Sequence, residues 1–147
     1  MIKSGIFIPM LIMLPNLAYY LNMRNTGNVP GNTVSTSKFL KMSENIGRLG
    51  ILIIPIFYAL NLNNRFSLYF TMLCLLFLSL YYIAWIRHIV SGSQQIDMRK
   101  RFFVPLPLAV YPSLFFASSS YLISSVPMLI FSVVFAIAHI WVTSIES

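Results

Sequence analysis

The chain has 147 residues, of which 58% are apolar and only 9% charged, with a mean hydropathy of +0.79. That balance excludes an ordinary soluble domain and leaves an integral membrane protein. The net charge of +7 comes from ten Lys and Arg scattered between apolar runs, so they read as topology determinants beside anionic lipid, not as a nucleic-acid surface.

A spanning helix needs about 20 residues to cross roughly 30 Å of hydrocarbon. This length therefore supplies about five spans and no separate soluble domain, and residues 1–147 form a single membrane domain. The lone cysteine, Cys74, lies in an apolar run. It excludes an internal disulfide and a thiol metal site and reads as a small apolar filler.

The first span is expected over 5–22, preceded by Lys3 and containing Pro9 and Pro15. It has no A-x-A-like cleavage site and ends in the aromatic pair Tyr19-Tyr20, so it reads as a retained span with an interface anchor. Asn16 inside it calls for a hydrogen bond, most simply to a neighbouring helix. Residues 24–37 are polar, rich in Asn, Gly, Ser and Thr, and make a surface loop. From Lys38 the apolar residues Phe39, Leu40, Met42, Ile46 and Leu49 recur at mostly helical spacing beside Lys38, Lys41, Glu44 and Arg48. This pattern predicts a helix that lies at the interface and then bends inward into a second span over 47–62.

Asn61 to Arg65 form a polar turn, and a third span covers 66–86, ending among Tyr81, Tyr82, Trp85, Arg87 and His88. A basic loop follows, with Asp97 against Arg99, Lys100 and Arg101. The fourth span, 102–118, carries Pro105, Pro107 and Pro112, so its first turns cannot complete a hydrogen-bonded ladder. Ala109, Ser113 and Ala117 give it a small-residue face for close helix packing. Serines at 118–120 and 124–125 frame a turn, and a fifth span covers 122–143.

The fold class is thus all-α, a polytopic bundle of five spans. Counting flanking cations, one side receives Arg24, Lys38, Lys41, Arg48, Arg87, Arg99, Lys100 and Arg101, the other only Lys3 and Arg65. The positive-inside rule then puts the N-terminus outside and the C-terminus in the cytoplasm. Anionic headgroups are the expected partners near Lys38, Lys41, Arg99, Lys100 and Arg101. A second copy of the chain or another membrane protein stays open as a partner.

Threaded this way, Asn16, Glu44, Arg48, Trp85, Arg87, His88 and His139 fall in the cytoplasmic half or at its boundary. Bland readings exist for each: a surface i, i+4 ion pair for Glu44 and Arg48, snorkelling for Arg87, a structural bond to a backbone carbonyl or Asn16 for His139. Intramembrane ionisable residues nonetheless tend to face the bundle interior. Neither histidine has an acidic or histidine partner at metal spacing, and no cofactor is implied. No nucleophile elbow or phosphate loop is present, and Glu44 is the one candidate acid for ion coupling. What remains is a polar cluster of Asn16, Glu44, Arg48, Trp85, Arg87 and His139, in which Arg48 and Arg87 with His139 face a phosphate or carboxylate headgroup.

The order Pro15-Asn16, then Glu44 to Arg48 (ENIGR), Trp85 to Arg87 (WIR), Pro105 to Pro107 (PLP) and Ala138 to Ile140 (AHI) resembles a group of small bacterial multi-span membrane proteins without an established activity. The resemblance implies a bacterial plasma membrane and a multi-span fold. The expected function is a non-enzymatic binding or accessory role with a polar pocket toward the cytoplasmic leaflet. Transport of a small anion or lipid, a membrane enzyme using Glu44 and His139, and immunity against a membrane-active peptide are the alternatives.

Overall fold

The computed structural model describes residues 4–26, 37–90 and 106–146. These form five α-helices and no strand: α1 (Phe7–Thr26), α2 (Lys38–Ile53), α3 (Ser67–Val90), α4 (Pro107–Leu122) and α5 (Val126–Glu146). A 3-10 turn, Ser4–Ile6, precedes α1, and another, Ile54–Phe57, extends α2. The expected all-helical class is therefore observed. The basic loop around Arg99, Lys100 and Arg101 and the start of the fourth expected span lie outside the described residues.

Among the described residues, three segments are long and apolar enough to cross a membrane: Ser4–Leu21, Ser67–Val90 and Val126–Ile145. Helices α2 and α4 have 16 residues each. At 1.5 Å per residue that is about 24 Å, short of the roughly 30 Å of a hydrocarbon core. In α4 the shortness has a local cause. Pro107 occupies the first turn, where a missing N–H costs nothing, and Leu106 before it turns the chain with a left-handed φ of 51°.

Hydrogen bonds gather one end of the bundle. The amide of Gly5 donates to the Tyr58 carbonyl at 3.0 Å, that of Leu60 to the Ser4 hydroxyl at 2.9 Å, and that of Asn61 to the Leu122 carbonyl at 2.7 Å. Asn64 reaches the Ser124 hydroxyl at 3.2 Å. This end collects the start of α1, the α2–α3 connection and the α4–α5 turn, so successive helices alternate in direction. The main packing pairs are α2 with α5, α3 with α4, and α4 with α5. Tyr81, Phe116, Ile51 and Met128 are the largest fully buried side chains at their junctions.

Lys38 to Asn45 belong to the same regular helix as the residues after them, with no break at Gly47. Helix α2 runs unbroken from Lys38 through Ile53, and the regular helix ends at Phe57, before the expected limit of 62. Its two faces explain this. Phe39, Met42, Ile46, Leu49, Ile53 and Phe57 form an exposed apolar stripe, whereas Glu44, Gly47, Ile51 and Pro55 are buried against the bundle. Gly47 and Gly50 serve close approach to α5, so neither relaxes the helix. On α4, Ala109 and Ser113 of the small-residue face are buried and Ala117 is half-buried.

Candidate functional site

The site grows from the contact of α2 with the antiparallel α5, which is built in three rungs. Gly50 lies against the Phe131 side chain, Gly47 against the backbone of Phe135, and Glu44 against His139. The spacings, three residues on α2 and four on α5, keep all the rungs on one face of each helix. Two glycines bring the backbones close enough for short polar side chains to meet across the gap.

At the third rung Oε1 of Glu44 accepts from Nη2 of Arg48, one turn along α2, at 2.5 Å. The same oxygen lies 2.9 Å from Nδ1 of His139. The Glu44 side chain is 9% exposed, that of His139 23% and that of Arg48 49%. The carboxylate is thus the buried member, and its two partners lie between it and the outside. An ionised carboxylate only accepts, so Nδ1 of His139 carries the donated proton. Phe135 stacks on the imidazole, with centroids 4.7 Å apart and planes at 18°, and fixes the ring's plane. A paired, buried carboxylate differs from the surface ion pair that the i, i+4 spacing alone allows.

Beside this junction is a cavity of about 380 Å³ to which every described helix contributes. Its walls are Ile12, Met13 and Asn16 of α1, Arg48, Ile51 and Leu52 of α2, Tyr81 of α3, Leu108, Pro112 and Phe116 of α4, and Phe135 and His139 of α5. The lining is mostly apolar, with Asn16, Arg48, Tyr81 and His139 as its polar members. The Tyr81 hydroxyl donates to the Ile12 carbonyl at 3.5 Å, and the amide of Asn16 points to the same carbonyl at 3.4 Å. One carbonyl of α1 thereby ties the first helix to the third at the cavity wall.

Of the residues expected to cluster, Asn16, Arg48 and His139 line the cavity, and Glu44 stands directly behind the last two. Trp85 and Arg87 do not line it. Trp85 is buried one turn further along α3, among Tyr19 at 5.0 Å, His88 at 5.7 Å and Tyr81 at 6.4 Å. Arg87 is exposed in the last turn of α3. Tyr81, expected at the interface beside the site, reaches into the cavity wall; Gly47 and Phe135 are the contributors that sequence reasoning did not single out for the site. The i, i+4 spacing of Phe135 and His139 was the available signal for the second of them.

A guanidinium, an imidazole and an amide beside apolar walls are groups suited to recognition. Among the described residues no hydroxyl or thiol other than the Tyr81 phenol lines the cavity. The buried serines Ser113, Ser119 and Ser132 each donate to the carbonyl four residues back in their own helix, at 2.8, 2.6 and 2.7 Å. Among the described residues no three His, Cys, Asp or Glu gather as a metal site would require. A larger groove of about 440 Å³ lies where Phe70 stacks on Tyr121, near the α4–α5 turn. It has no charged lining residue, so the smaller cavity with convergent polar groups is the candidate site. Neither a family model, nor a curated protein, nor a solved structure matches the chain.

Proposed function

We propose that this is a five-span protein of a bacterial plasma membrane that binds a small amphiphile, without chemical transformation, in a pocket toward the cytoplasmic leaflet. The observation that carries the reading is the five-helix cavity, apolar along its walls and polar where Asn16, Arg48 and His139 meet. Such a lining matches a ligand with a hydrocarbon body and one polar head. The unequal distribution of cations supports the orientation, because Glu44 and Arg48 lie near the Lys38–Lys41 end of α2 and His139 meets them from the antiparallel α5. The outward stripe of α2, from Phe39 to Phe57, supports α2 as a lipid-facing span despite its charges.

Native mass spectrometry of the detergent-purified protein tests the reading. Wild type is expected to retain a small amphiphile, and Leu108→Trp, which fills the cavity from α4, to lose it while remaining folded. A wild-type protein that carries no adduct and takes up none when offered single-chain amphiphiles refutes the proposal.

A further inference from the structure

Glu44 and Arg48 are in contact, so their charges cancel within the site. Among the described residues no further charged side chain lines the cavity except that of His139 when protonated. Each described helix contributes its own groups to the cavity lining or to the partners of the imidazole. Helix α2 brings Glu44 and Arg48, α1 the neutral amide of Asn16, and α3 the Tyr81 phenol, while α4 brings only apolar side chains. On α5 itself the Phe135 ring stacks on the imidazole.

An anionic head entering this pocket meets a neutral site when His139 is neutral and a site of charge +1 when His139 is protonated. Burying an uncompensated charge is costly. The tautomer sharpens the difference. With Nδ1–H given to Glu44, the remaining nitrogen of a neutral ring, Nε2, is an acceptor and repels an anion, and only protonation makes it a donor. Arg48 adds a fork of five N–H donors, of which one nitrogen, Nη2, is bound to Glu44. The cavity volume of about 380 Å³ is near the lower end for small-molecule pockets and suits one hydrocarbon chain, not two.

We propose that the pocket takes a single-chain amphiphile with a monoanionic head, and that each molecule enters together with one proton, carried on Nε2 of His139 and drawn from water. This rests on the binding role proposed above and adds the ligand's charge and the proton. Binding and protonation are then linked, so the affinity for the anion rises as pH falls, by up to about tenfold per pH unit when one proton accompanies each ligand.

The test uses the full chain in phosphatidylcholine nanodiscs, titrated with dodecanesulfonate, whose charge is fixed, and with neutral dodecanol. Stabilisation against heat is read between about pH 8 and about pH 5.5, the range over which histidines ordinarily titrate. Dodecanesulfonate is expected to bind more tightly toward low pH and dodecanol equally at both limits. In His139→Gln, whose amide can still donate to Glu44, the sulfonate is expected to bind weakly and without pH dependence. Calorimetry of the wild type in two buffers of different ionisation enthalpy counts protons without any variant, with about one per sulfonate and none per dodecanol expected from the linkage. Dodecanol binding with a flat sulfonate profile, or with no proton uptake, overturns the inference and leaves the binding role standing. A pH dependence that survives in folded His139→Gln also overturns it. Failure of both amphiphiles to bind at any pH removes the binding role and the inference with it.

Discussion

Gly47 is seated on the backbone of Phe135, so closely that a Cβ on the glycine would lie 2.8 Å from both the amide nitrogen and the Cα of Phe135. Backbone cannot swing aside as a side chain can. Gly47→Ala must therefore push α2 away from α5 and open the Glu44–His139 contact one turn further along. Overpacking of this kind costs about 1–3 kcal/mol. The expected outcome is a clear fall in the melting temperature in detergent. Gly50→Ala meets the Phe131 side chain at Cγ, at Cδ1 and, at 2.8 Å, at Cβ; turning the ring moves the first two but not the Cβ, so this variant should also lose stability. An unchanged melting temperature in either variant would show that the helix pair is not held at that glycine.

What the sequence discloses about the junction is its level in the bundle, not its azimuth. Counting turns from the cation-rich ends puts Asn16, Glu44, Arg48, Trp85, Arg87 and His139 near one height, and four of the six meet there. Helix α3 is apolar nearly all round, so nothing in its pattern says which side faces the other helices. Tyr81 reaches the cavity, whereas Trp85, one turn on, packs against Tyr19 and His88. The path of α2 was illegible for a related reason. A glycine can mark either a bend or a close approach, and only the position of Phe135 decides between them.

Burial makes the ion pair asymmetric. Arg48→Gln leaves the buried Glu44 carboxylate with His139 as its remaining partner at Oε1, and loss of a hydrogen bond to a charged group costs about 1.5–3 kcal/mol. Glu44→Gln leaves a guanidinium that is half in contact with solvent, for which about 1 kcal/mol is the scale of an exposed pair. Arg48→Gln should therefore be the more damaging, and the double variant should be less damaged than the two losses added together. Equal, small and additive effects would reduce Glu44 and Arg48 to decoration of the helix surface.

Topology separates five spans from three, and cysteine accessibility in intact cells measures it. In a Cys74→Ala background, single cysteines replace Asn28, Asn63 and Gln94, and a membrane-impermeant maleimide is applied from outside. With five alternating spans and the N-terminus out, the Arg24–Lys38 and Arg87–Arg101 regions are cytoplasmic, so the cysteines at 28 and 94 stay unlabelled. Asn63, exposed in the turn between α2 and α3, is then external, and its cysteine is labelled. If only the three long apolar segments cross, the same N-terminal orientation reverses two of these outcomes: position 63 becomes protected and position 94 accessible. The cation count favours the five-span pattern, since the three-span thread would carry Arg99, Lys100 and Arg101 to the outer face against the positive-inside bias. Labelling at position 28 would invert the orientation itself and with it the leaflet toward which the Arg48–Glu44–His139 junction opens.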